Sequence, residues 1–556
     1  MLTNMKKFFL FVLTLLFINI VNAESYYIKD VNYKITGITR QYALETKVKI
    51  DRKKIFGSED ELRKYLDDIV IQMLNTRTFD NVTYTCVIDD LPSTENSISE
   101  KYNTENDDNT EESELPQNTS DNTQTKNVTV TFFTTDTKHL IATPYPKYKS
   151  GDSLTAMIKV KDTNFAGSME NFTANVDFAV ELNKDDEPES FKTGFSTDFG
   201  IPFKMGKLDT VWDNSIDFSY TFGDSSPEWD FETGLKMALP FDKYSLIFNV
   251  RQSFIKNFDY EGEWKGTGEY QTYYEYNDSL YFVENVGFSI PIVIQEVNNW
   301  GRIYYTPFVN ATYNWDFDGI HKDDSYLLGP AMSFGQTIST GRVNWIENFR
   351  NGINVSLTQL FGYNFNNYAF NPGITAELKL YKAFKNLGLS ADFYAYAYMN
   401  GTENFGSRLR GIRKDQYYDS TDPEIAILKS TDAQAAFVFN FDMPIKLFRI
   451  YWEKVPVINK IKASSKFNLE AQISPFVDIA LFKNEETGTS FNIKDSFISG
   501  GIEGIIYPLR WKGIQVRGSL GVDLTRKMPV LKGKVNQDWR ESCKSYEISI
   551  GIGLHY

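Results

Sequence analysis

The chain has 556 residues, which is more than one ordinary soluble domain needs. Aromatic residues make up 15% and charged residues 24%, and a mean hydropathy of −0.37 argues against a bundle of membrane helices. A formal net charge of −15 argues against nucleic acid as a partner, because phosphate contacts need clustered Lys and Arg. A transmembrane β-barrel remains compatible with these totals, because alternation along each strand dilutes its hydrophobicity in an average.

Residues 1–23 are typical of a secretory signal peptide. Lys6 and Lys7 precede an apolar run from Phe8 to Val21, and the small residue Ala23 suits the cleavage position. No later stretch is long and apolar enough to predict a membrane-spanning helix. The pattern therefore predicts a secreted chain that meets a membrane with strands.

Residues 24–137 have the pattern of a small soluble α/β domain. The predicted elements are, in order, a strand through Val31, Tyr33 and Ile35, a short helix over Tyr42–Val48, a longer helix, and strands over Asn81–Ile88 and Asn127–Phe133. Ser58 and Glu61 have the spacing of a capping box at the start of the longer helix, and Asn75 ends it.

The order β-α-α-β-β, with Asn75-Thr76-Arg77-Thr78-Phe79 after the second helix, resembles a POTRA domain. The resemblance implies a periplasmic domain that binds extended clients by adding a strand to its exposed sheet edge. An insertion over residues 92–126, rich in Ser, Thr, Asn, Asp, Glu and Gln, interrupts the domain before its last strand. Because the insertion cannot bury a core, we expect it to be disordered, either as solvated filler or as an acidic tether or client-binding loop.

Residues 138–556 predict a transmembrane antiparallel β-barrel. The alternating stretches include Asn171–Leu182, Ala433–Met443, Phe467–Ile479 and Ile514–Leu524. The pattern favours about 16 strands, with about 18 as the alternative, because a barrel entered and left from the periplasm needs an even number. Pro144 and Pro146 interrupt the first predicted strand, Lys138–Tyr148, so its pairing with the last strand is expected to be weak.

The final stretch, Ser545–Tyr556, alternates without a break. Its apolar face consists of Tyr546, Ile548, Ile550, Ile552, Leu554 and Tyr556. A strand of an outer-membrane barrel turns such a face to lipid, with aromatic residues at both interfaces. A closing strand that ends in an aromatic residue is also the signal that barrel assembly machinery recognises.

Two short motifs indicate that the barrel is more than a pore. Leu409-Arg410-Gly411-Ile412 lies in a long connection between strands, and Phe476-Val477-Asp478-Ile479-Ala480 lies within a strand. Alternation from Phe467 places Asp478 on the lumen face. A bidentate contact between Arg410 and Asp478 would pin a loop that folds back into the lumen.

These motifs make the chain similar to the BamA-type family of POTRA-bearing outer-membrane barrels. That family has (Val/Ile)-Arg-Gly-(Phe/Tyr) in its sixth extracellular loop and Phe-x-Asp-x-Gly shortly after it. Here Ile412 replaces the aromatic residue and Ala480 replaces the last glycine. The phrase Asp162-Thr163-Asn164-Phe165-Ala166-Gly167 also resembles the family's early Asp-x-Asn-x-x-Gly turn. The resemblance implies that Arg410, Phe476 and Asp478 hold the loop in the lumen.

The leading functional hypothesis is an assembly or insertion factor in the outer membrane, with its N-terminal domain in the periplasm. It would capture unfolded outer-membrane or secreted clients and insert them into membrane lipid at the seam between the first and last strands. Periplasmic chaperones and lipoproteins would be further partners. Two alternatives stay open: a polypeptide exporter of the two-partner type, and a passive porin or surface antigen.

No enzymatic activity, cofactor or metal site is expected. His139, His321 and His555 are scattered, without catalytic or metal-binding spacing. Cys86 and Cys543 fall in separate predicted domains, so we expect two free thiols rather than a disulfide.

Overall fold

The computed structural model describes residues 24–89, 125–149, 153–182, 187–223, 227–256, 263–265, 272–274, 280–297, 301–315, 330–365, 368–412, 431–455, 467–485, 488–493, 496–524 and 546–552. Predicted features outside these ranges are the signal peptide, residues 92–124 of the insertion, His321, Cys543, Leu554, His555 and Tyr556. Within the described ranges, no helix is both long enough and apolar enough to cross a membrane.

The described residues form two compact units. The first contains residues 24–37 and the described part of 44–136, and the second contains residues 38–43 and the described part of the chain from 137 onward. The domain assignment 24–137 and 138–556 stays a prediction.

The N-terminal part of the chain contains the elements β1 (Ser25–Thr36), α1 (Gln41–Lys47), β2 (Ile55–Phe56), α2 (Glu59–Asn75), β3 (Phe79–Asp89) and β4 (Thr125–Asp136). The four strands form a sheet in the order β2-β1-β4-β3, in which β1 is parallel to β4 and β3 is antiparallel to it. The predicted order of elements is confirmed. The structure adds β2, a strand of two residues that is too short to show a sequence period.

Helix α2 shows how local sequence determines where a helix of the first unit begins and which of its faces is buried. The Glu61 N–H donates to Ser58 Oγ at 3.2 Å, and the Gly57 N–H donates to Glu61 Oε2 at 3.0 Å. The predicted N-cap is therefore confirmed, although the Glu61 side chain reaches Gly57 rather than Ser58. The buried face of the helix consists of Leu62, Leu66, Ile69 and Met73. These four positions follow helical spacing, so burial of this face gives the unit its core.

The second unit is a closed antiparallel β-barrel. Its first strand segments are β5 (Leu140–Lys149), β6 (Ser153–Asp162), β7 (Phe172–Leu182), β8 (Pro188–Met205), β9 (Leu208–Thr221), β10 (Glu228–Pro240) and β11 (Ser245–Lys256). A separate hairpin of β12 (Glu263–Lys265) and β13 (Thr272–Tyr274) follows. The wall continues with β14 (Leu280–Ser289), β15 (Ile292–Val297), β16 (Gly301–Trp315), β17 (Ala331–Ile346), β18 (Phe349–Asn364), β19 (Ala369–Ala383) and β20 (Gly388–Tyr398).

The remaining segments complete the circle. A small sheet of β21 (Glu403–Asn404) and β22 (Asp432–Ala433) precedes β23 (Ala435–Asp442), β24 (Ile445–Ile450), β25 (Leu469–Asn484), β26 (Thr489–Ser490), β27 (Phe497–Pro508), β28 (Val516–Asp523) and β29 (Tyr546–Ile552). The wall has 21 described segments, and the last, β29, lies beside the first, β5. β14 and β15 both pair with β16, and β23 and β24 both pair with β25. Each of these two pairs is one strand interrupted by a proline, Pro291 or Pro444.

The outer face of the barrel is apolar. On β7 the side chains of Val176 and Phe178 are exposed, whereas Asp177 between them lies on the inner face. On β17 the exposed residues Phe334 and Ile338 follow the same period of two. Large exposed apolar side chains occur on most of the described barrel strands. An apolar belt of this extent is unfavourable in water and is expected for a barrel embedded in lipid.

Candidate functional site

The connection between β20 and β23 folds back into the barrel. Phe405, Leu409 and Ile412 of this loop are almost fully buried. They pack in one apolar cluster with the wall residues Tyr396, Ala436, Val438, Ala480, Phe482 and Phe497, and with Ala433. Ile412 and Ala480, the two departures from the family motifs, therefore meet in the same cluster, where two aliphatic side chains fill the space.

Arg410 ties this loop to two carboxylates of the wall. Its Nε and Nη2 donate to Asp478 at 2.9 and 2.7 Å, and its Nη1 and Nη2 donate to Asp442 at 2.6 and 3.3 Å. The main-chain N–H of Arg410 also donates to Asp478 Oδ2 at 2.9 Å. The Asp478 side chain is fully buried, and Arg410 is 6% exposed. The predicted pair is thus in contact, and a guanidinium fork that meets two carboxylates is a strong and directional arrangement.

Phe476 completes the surroundings of the guanidinium. The Arg410 Cζ lies 3.7 Å from the centre of the Phe476 ring, so the cation sits over the aromatic face. Phe476 and Asp478 are two residues apart on β25 and therefore project from the same face. Both motif residues consequently contact the same arginine, one through its charge and one through its ring.

Gly411 is the residue at which the loop contacts the last two strands of the barrel, β28 and β29. Its φ of +82° is a conformation that favours glycine, and a Cβ atom there would lie 2.6 Å from the carbonyl carbon of Gly521 on β28. The Gly411 N–H donates to Glu547 Oε2 on β29 at 3.1 Å. The loop tip therefore contacts the last strand directly, and only a residue without a side chain fits between them.

Three tyrosines of β20 fix the earlier part of the loop. Tyr394 and Tyr398 donate through their hydroxyl groups to the Glu403 carboxylate at 2.7 and 3.1 Å. Tyr396 donates to the Glu403 carbonyl oxygen at 2.7 Å. These bonds hold the loop at its base while Arg410 holds its tip.

Asp442 and Glu547 are the site residues that sequence reasoning missed. Asp442 lies directly opposite Phe476 in the pairing of β23 with β25, so it shares the face on which Arg410 sits. Asp442 lies at the end of an alternating stretch, and that position could have indicated a residue close to the loop. Neither of the two motifs contains a second carboxylate, so the motifs did not indicate it. Glu547 lies on the polar face of the predicted closing strand, yet no local pattern indicates that the loop reaches it.

The closing strand has the predicted orientation where it is described. Tyr546, Ile548 and Ile550 are exposed on the outer face, and Ser549 Oγ lies 2.6 Å from Ser519 Oγ. Ile552 is the last described residue of β29. The role of this strand as an assembly signal stays a prediction.

The first strand has two fewer hydrogen-bond donors on one side than a strand without proline. The Thr163 N–H donates to the His139 carbonyl oxygen at 3.0 Å, so odd-numbered residues of β5 bond to β6. The main-chain N–H and C=O groups of the even-numbered residues therefore point to the opposite side, toward β29. On that side the Leu140 carbonyl oxygen accepts from Trp511 Nε1 at 3.0 Å. Pro144 and Pro146 are even-numbered and have no N–H, which removes two donors from the side of β5 that faces β29.

The early turn after β6 is also built from the residues of its motif. Asp162 Oδ1 accepts from the Asn164 N–H, and Asn164 Oδ1 accepts from the Met169 N–H, both at 2.8 Å. Gly167 has a φ of +75°. His139 Nδ1 lies 2.7 Å from Asp162 Oδ1. Each named residue of the motif therefore shapes the turn itself.

The described ranges contain no group of three or more His, Cys, Asp or Glu residues that could hold a metal ion. Cys86 is a free thiol. A scan against protein-family models and a search of curated proteins find no match.

Three solved structures are similar to the chain. CdiB from Acinetobacter baumannii matches with a TM-score of 0.46 and 9% identity, over 96% of this chain and 74% of that one. CdiB from Escherichia coli matches with a TM-score of 0.36 and 9% identity, over 96% and 92%. BamA from Haemophilus ducreyi lacking POTRA domains 1-3 matches with a TM-score of 0.32 and 11% identity, over 95% and 84%.

Proposed function

We propose that the protein is an outer-membrane assembly or insertion factor that admits extended clients between β5 and β29. The observation that carries the proposal is the clamped loop, in which Arg410 binds two wall carboxylates and Gly411 binds Glu547 of the last strand. A loop that folds into the lumen and contacts the closing strand suits a wall that opens in a controlled way. The same loop would narrow a passive pore.

A location in the outer membrane is supported by the apolar outer face and by the predicted signal peptide at residues 1–23. β26 and β27 both pair with β25, one after the other, so they count as one strand. The same holds for β14 and β15 on β16 and for β23 and β24 on β25. Counting each such pair once reduces the 21 segments by three, and we infer a barrel of 18 strands. This even number, the alternative expected from the sequence, leaves both ends of the barrel on the periplasmic side.

The N-terminal unit provides an edge for client pairing. β3 ends the sheet order β2-β1-β4-β3, so one side of Phe79–Asp89 has no strand neighbour among the described residues. An extended client can add a strand there through main-chain hydrogen bonds. The predicted order β-α-α-β-β is present with the short β2 added between the helices, and β1 is parallel to β4; both features support the assignment of the N-terminal elements as a periplasmic POTRA domain.

The seam offers the point of entry. Because Pro144 and Pro146 provide no N–H toward β29, separating these strands breaks fewer hydrogen bonds than at a proline-free junction of equal length. A client strand can then pair with the freed edges, so that no unpaired main-chain group has to face lipid. The Gly411–Glu547 contact would hold β29 in register during this exchange.

Replacing Arg410 by Ala tests the proposal. The variant barrel should still insert, but the amounts of assembled outer-membrane proteins should fall when it is the only copy in the cell. Arg302→Ala is a matched control, because Arg302 is a partly exposed arginine whose Nε lies 3.5 Å from Glu296 Oε2. Normal client amounts with the Arg410 variant, at normal barrel levels, would refute the proposal.

Polypeptide export through the lumen is the second candidate function. The loop packs against inner-face residues of β20 to β27, whereas Asp230 and Lys236 on the inner face of β10 are exposed. One side of the lumen is therefore not filled by the described residues. Accumulation of one secreted partner in the periplasm, with normal outer-membrane proteins, would select export. A large, steady single-channel conductance with neither phenotype would select a passive porin.

A further inference from the structure

The turn between β27 and β28 reaches past the last strand of the barrel to the first. The Arg510 carbonyl oxygen accepts from the Lys138 N–H at 3.3 Å and from Thr137 Oγ1 at 3.0 Å. Trp511 Nε1 donates to the Leu140 carbonyl oxygen at 3.0 Å. In the strand order β28-β29-β5, all three bonds cross the position of β29. The turn therefore connects β28 to the start of β5 by a route that does not depend on β29.

We call residues 509–514 the strap, and the strap is fixed to the wall at its base. The Leu509 N–H donates to the Asn468 carbonyl oxygen, directly before β25, at 2.8 Å. Within the strap, the Ile514 N–H donates to the Trp511 carbonyl oxygen at 3.0 Å, and Ile514 is buried. The strap is thus a folded turn with its own hydrogen bonds.

The strap also contacts the turn after β6. A Cβ atom added at Gly513 would lie 3.1 Å from Thr163 Cγ2, so the main chain of the strap packs directly on this side chain. The Thr163 N–H donates to the His139 carbonyl oxygen at 3.0 Å. The strap consequently holds both strands of the first hairpin, β5 and β6, at the end where β5 begins.

Trp511 occupies the first acceptor on the edge of β5 that faces β29. The main-chain groups of the even-numbered residues of β5 point to this edge, and Leu140 is the first residue of the strand. The indole N–H takes the place at the Leu140 carbonyl oxygen that the N–H of a paired strand would take. Trp511 therefore marks where strand pairing along this edge has to end.

The seam between β5 and β29 is weaker away from the strap. Pro144 and Pro146 lie four and six positions beyond Leu140, and neither has an N–H to donate toward β29. The strap adds hydrogen bonds at the strapped end, whereas the prolines remove donors toward the opposite end, which we call the free end. Opening the seam from the free end therefore breaks the fewest hydrogen bonds.

We propose that the strap is the hinge of the seam and that Trp511 is its positioning residue. β29 stays beside β28, because Gly411 of the clamped loop donates to Glu547. β5 separates from β29 at the free end, while the strap keeps its start in place. A client strand then pairs along β5 from the free end as far as Leu140. The inference rests on the proposed entry of clients between β5 and β29 and adds the direction in which that entry opens.

Spin-label distances in the full chain in lipid vesicles test this direction. Both native cysteines are replaced by serine. One pair of labels, at Leu154→Cys and Leu520→Cys, reports on the free end, and a second pair, at Val160→Cys and Val516→Cys, reports on the strapped end. All four positions lie on the outer face by the period of two, on β6 and β28. Within each pair, β29 and β5 lie between the two labels, so the main chains are about 14 Å apart, three strand spacings.

The probe that opens the seam is a synthetic peptide of residues 545–556, which has the sequence of the closing strand itself. Without the peptide, both distances should be those of the closed barrel. With it, the distance between the labels at 154 and 520 should increase by about 5 Å, one strand spacing, and the distance between 160 and 516 should not change. Equal increases in both pairs, or an increase at the strapped end alone, would overturn the hinge and leave entry at the seam intact. No increase in either pair would overturn the hinge together with entry at the seam.

Two indole variants test the role of Trp511. Trp511→Phe keeps the ring and removes the N–H, so the peptide should now also lengthen the distance at the strapped end. Trp452→Phe is the matched control, because Trp452 Nε1 donates to the Phe467 carbonyl oxygen at 2.8 Å in the turn before β25. This control should open at the free end only, as the wild-type chain does. A Trp511→Phe chain that behaves like the control would refute the positioning role.

A reversible lock tests whether the strap has to release. The Cβ atom added at Gly513 would lie 3.5 Å from Thr163 Cβ, a separation that suits a disulfide between Gly513→Cys and Thr163→Cys. A fluorescent form of the peptide of residues 545–556 should bind the oxidised and the reduced chain equally well. Binding that is lost on oxidation and regained on reduction would show that the strap opens for entry, and would overturn the proposal.

Discussion

Replacing Arg410 by Ala should release the loop from the wall while the barrel stays closed. The buried side chain donates two hydrogen bonds to Asp478 and two to Asp442. Its removal leaves both carboxylates without the guanidinium, and the Asp478 side chain has no exposed surface. Uncompensated buried charge is therefore the main cost of the substitution, ahead of the lost packing on Phe476.

The size of the effect follows from the burial. Removing one partner of a buried ion pair costs about 3–5 kcal/mol. About 1.4 kcal/mol is a factor of ten in an equilibrium constant. The equilibrium constant for docking of the loop should therefore fall by a factor on the order of a hundred to several thousand. The Arg410 main-chain N–H still donates to Asp478 in the variant, so the lower half of this range is expected.

Hydrogen exchange of residues 403–412 in the full-length protein in vesicles measures the loss. Amides of the loop should open more often in the Arg410→Ala chain by the factor above, whereas amides of β17 and β18 should not change. Arg408→Ala is a suitable control. Arg408 lies over Tyr394, with its Cζ 3.4 Å from the ring centre, and its Nη1 is 3.7 Å from Glu377 in a partly exposed pair. A partly exposed pair contributes only about 1 kcal/mol or less.

A neutral variant separates charge from packing. The triple change Arg410→Met, Asp442→Asn and Asp478→Asn leaves no buried charge unpaired and should restore much of the loop protection, because replacing a whole buried ion pair is often neutral. Unaltered exchange in the Arg410→Ala chain, or a triple variant as open as the single one, would refute the reasoning.

Three further predictions concern the tip, the seam and the first unit. Gly411→Ala should undock the loop in the same exchange experiment, because its Cβ would meet the β28 main chain; Gly488→Ala, also at positive φ but with nothing within 4 Å, should cost only about 1 kcal/mol. Restoring two donors with Pro144→Ala and Pro146→Ala should raise the temperature at which the barrel unfolds in detergent and slow client insertion; unchanged values for both would contradict the weak seam. Burial raises the pKa of Tyr33 from 10.0 to about 12, so the folded chain keeps a proton that the unfolded chain loses. The free energy of unfolding of the first unit should fall as the pH rises from 10 to 12, and Tyr33→Phe should remove that part of the fall in urea titrations.

Local periodicity was sufficient for much of the fold. The period of two placed Asp478 on the inner face and Ile548 on the outer face, because a strand's side chains alternate regardless of its neighbours. The spacing of Ser58 and Glu61 located the start of α2 for a similar reason, since a cap is made within one turn.

Features that depend on pairing between strands could not be predicted in the same way. Pro144 and Pro146 are visible in the sequence, but only the register of β5 on β6 shows that their missing donors face β29. Asp442 joins the site because it lies directly opposite Phe476 in the pairing of β23 with β25, and no local motif shows that pairing. The path of the loop to Glu547 and the contact of the strap with β5 likewise depend on which strands are neighbours, which no local pattern encodes.

Client entry between β5 and β29 is tested most directly by photo-crosslinking in cells. A photoreactive residue at Ala142, on the outer face of β5, should capture outer-membrane proteins during their assembly, and one at Leu380, on the outer face of β19, should not. A third position, Asp230 on the inner face of β10, reports passage through the lumen. Adducts at residue 142 alone are the predicted result. Adducts at residue 230 with none at residue 142 would contradict the account.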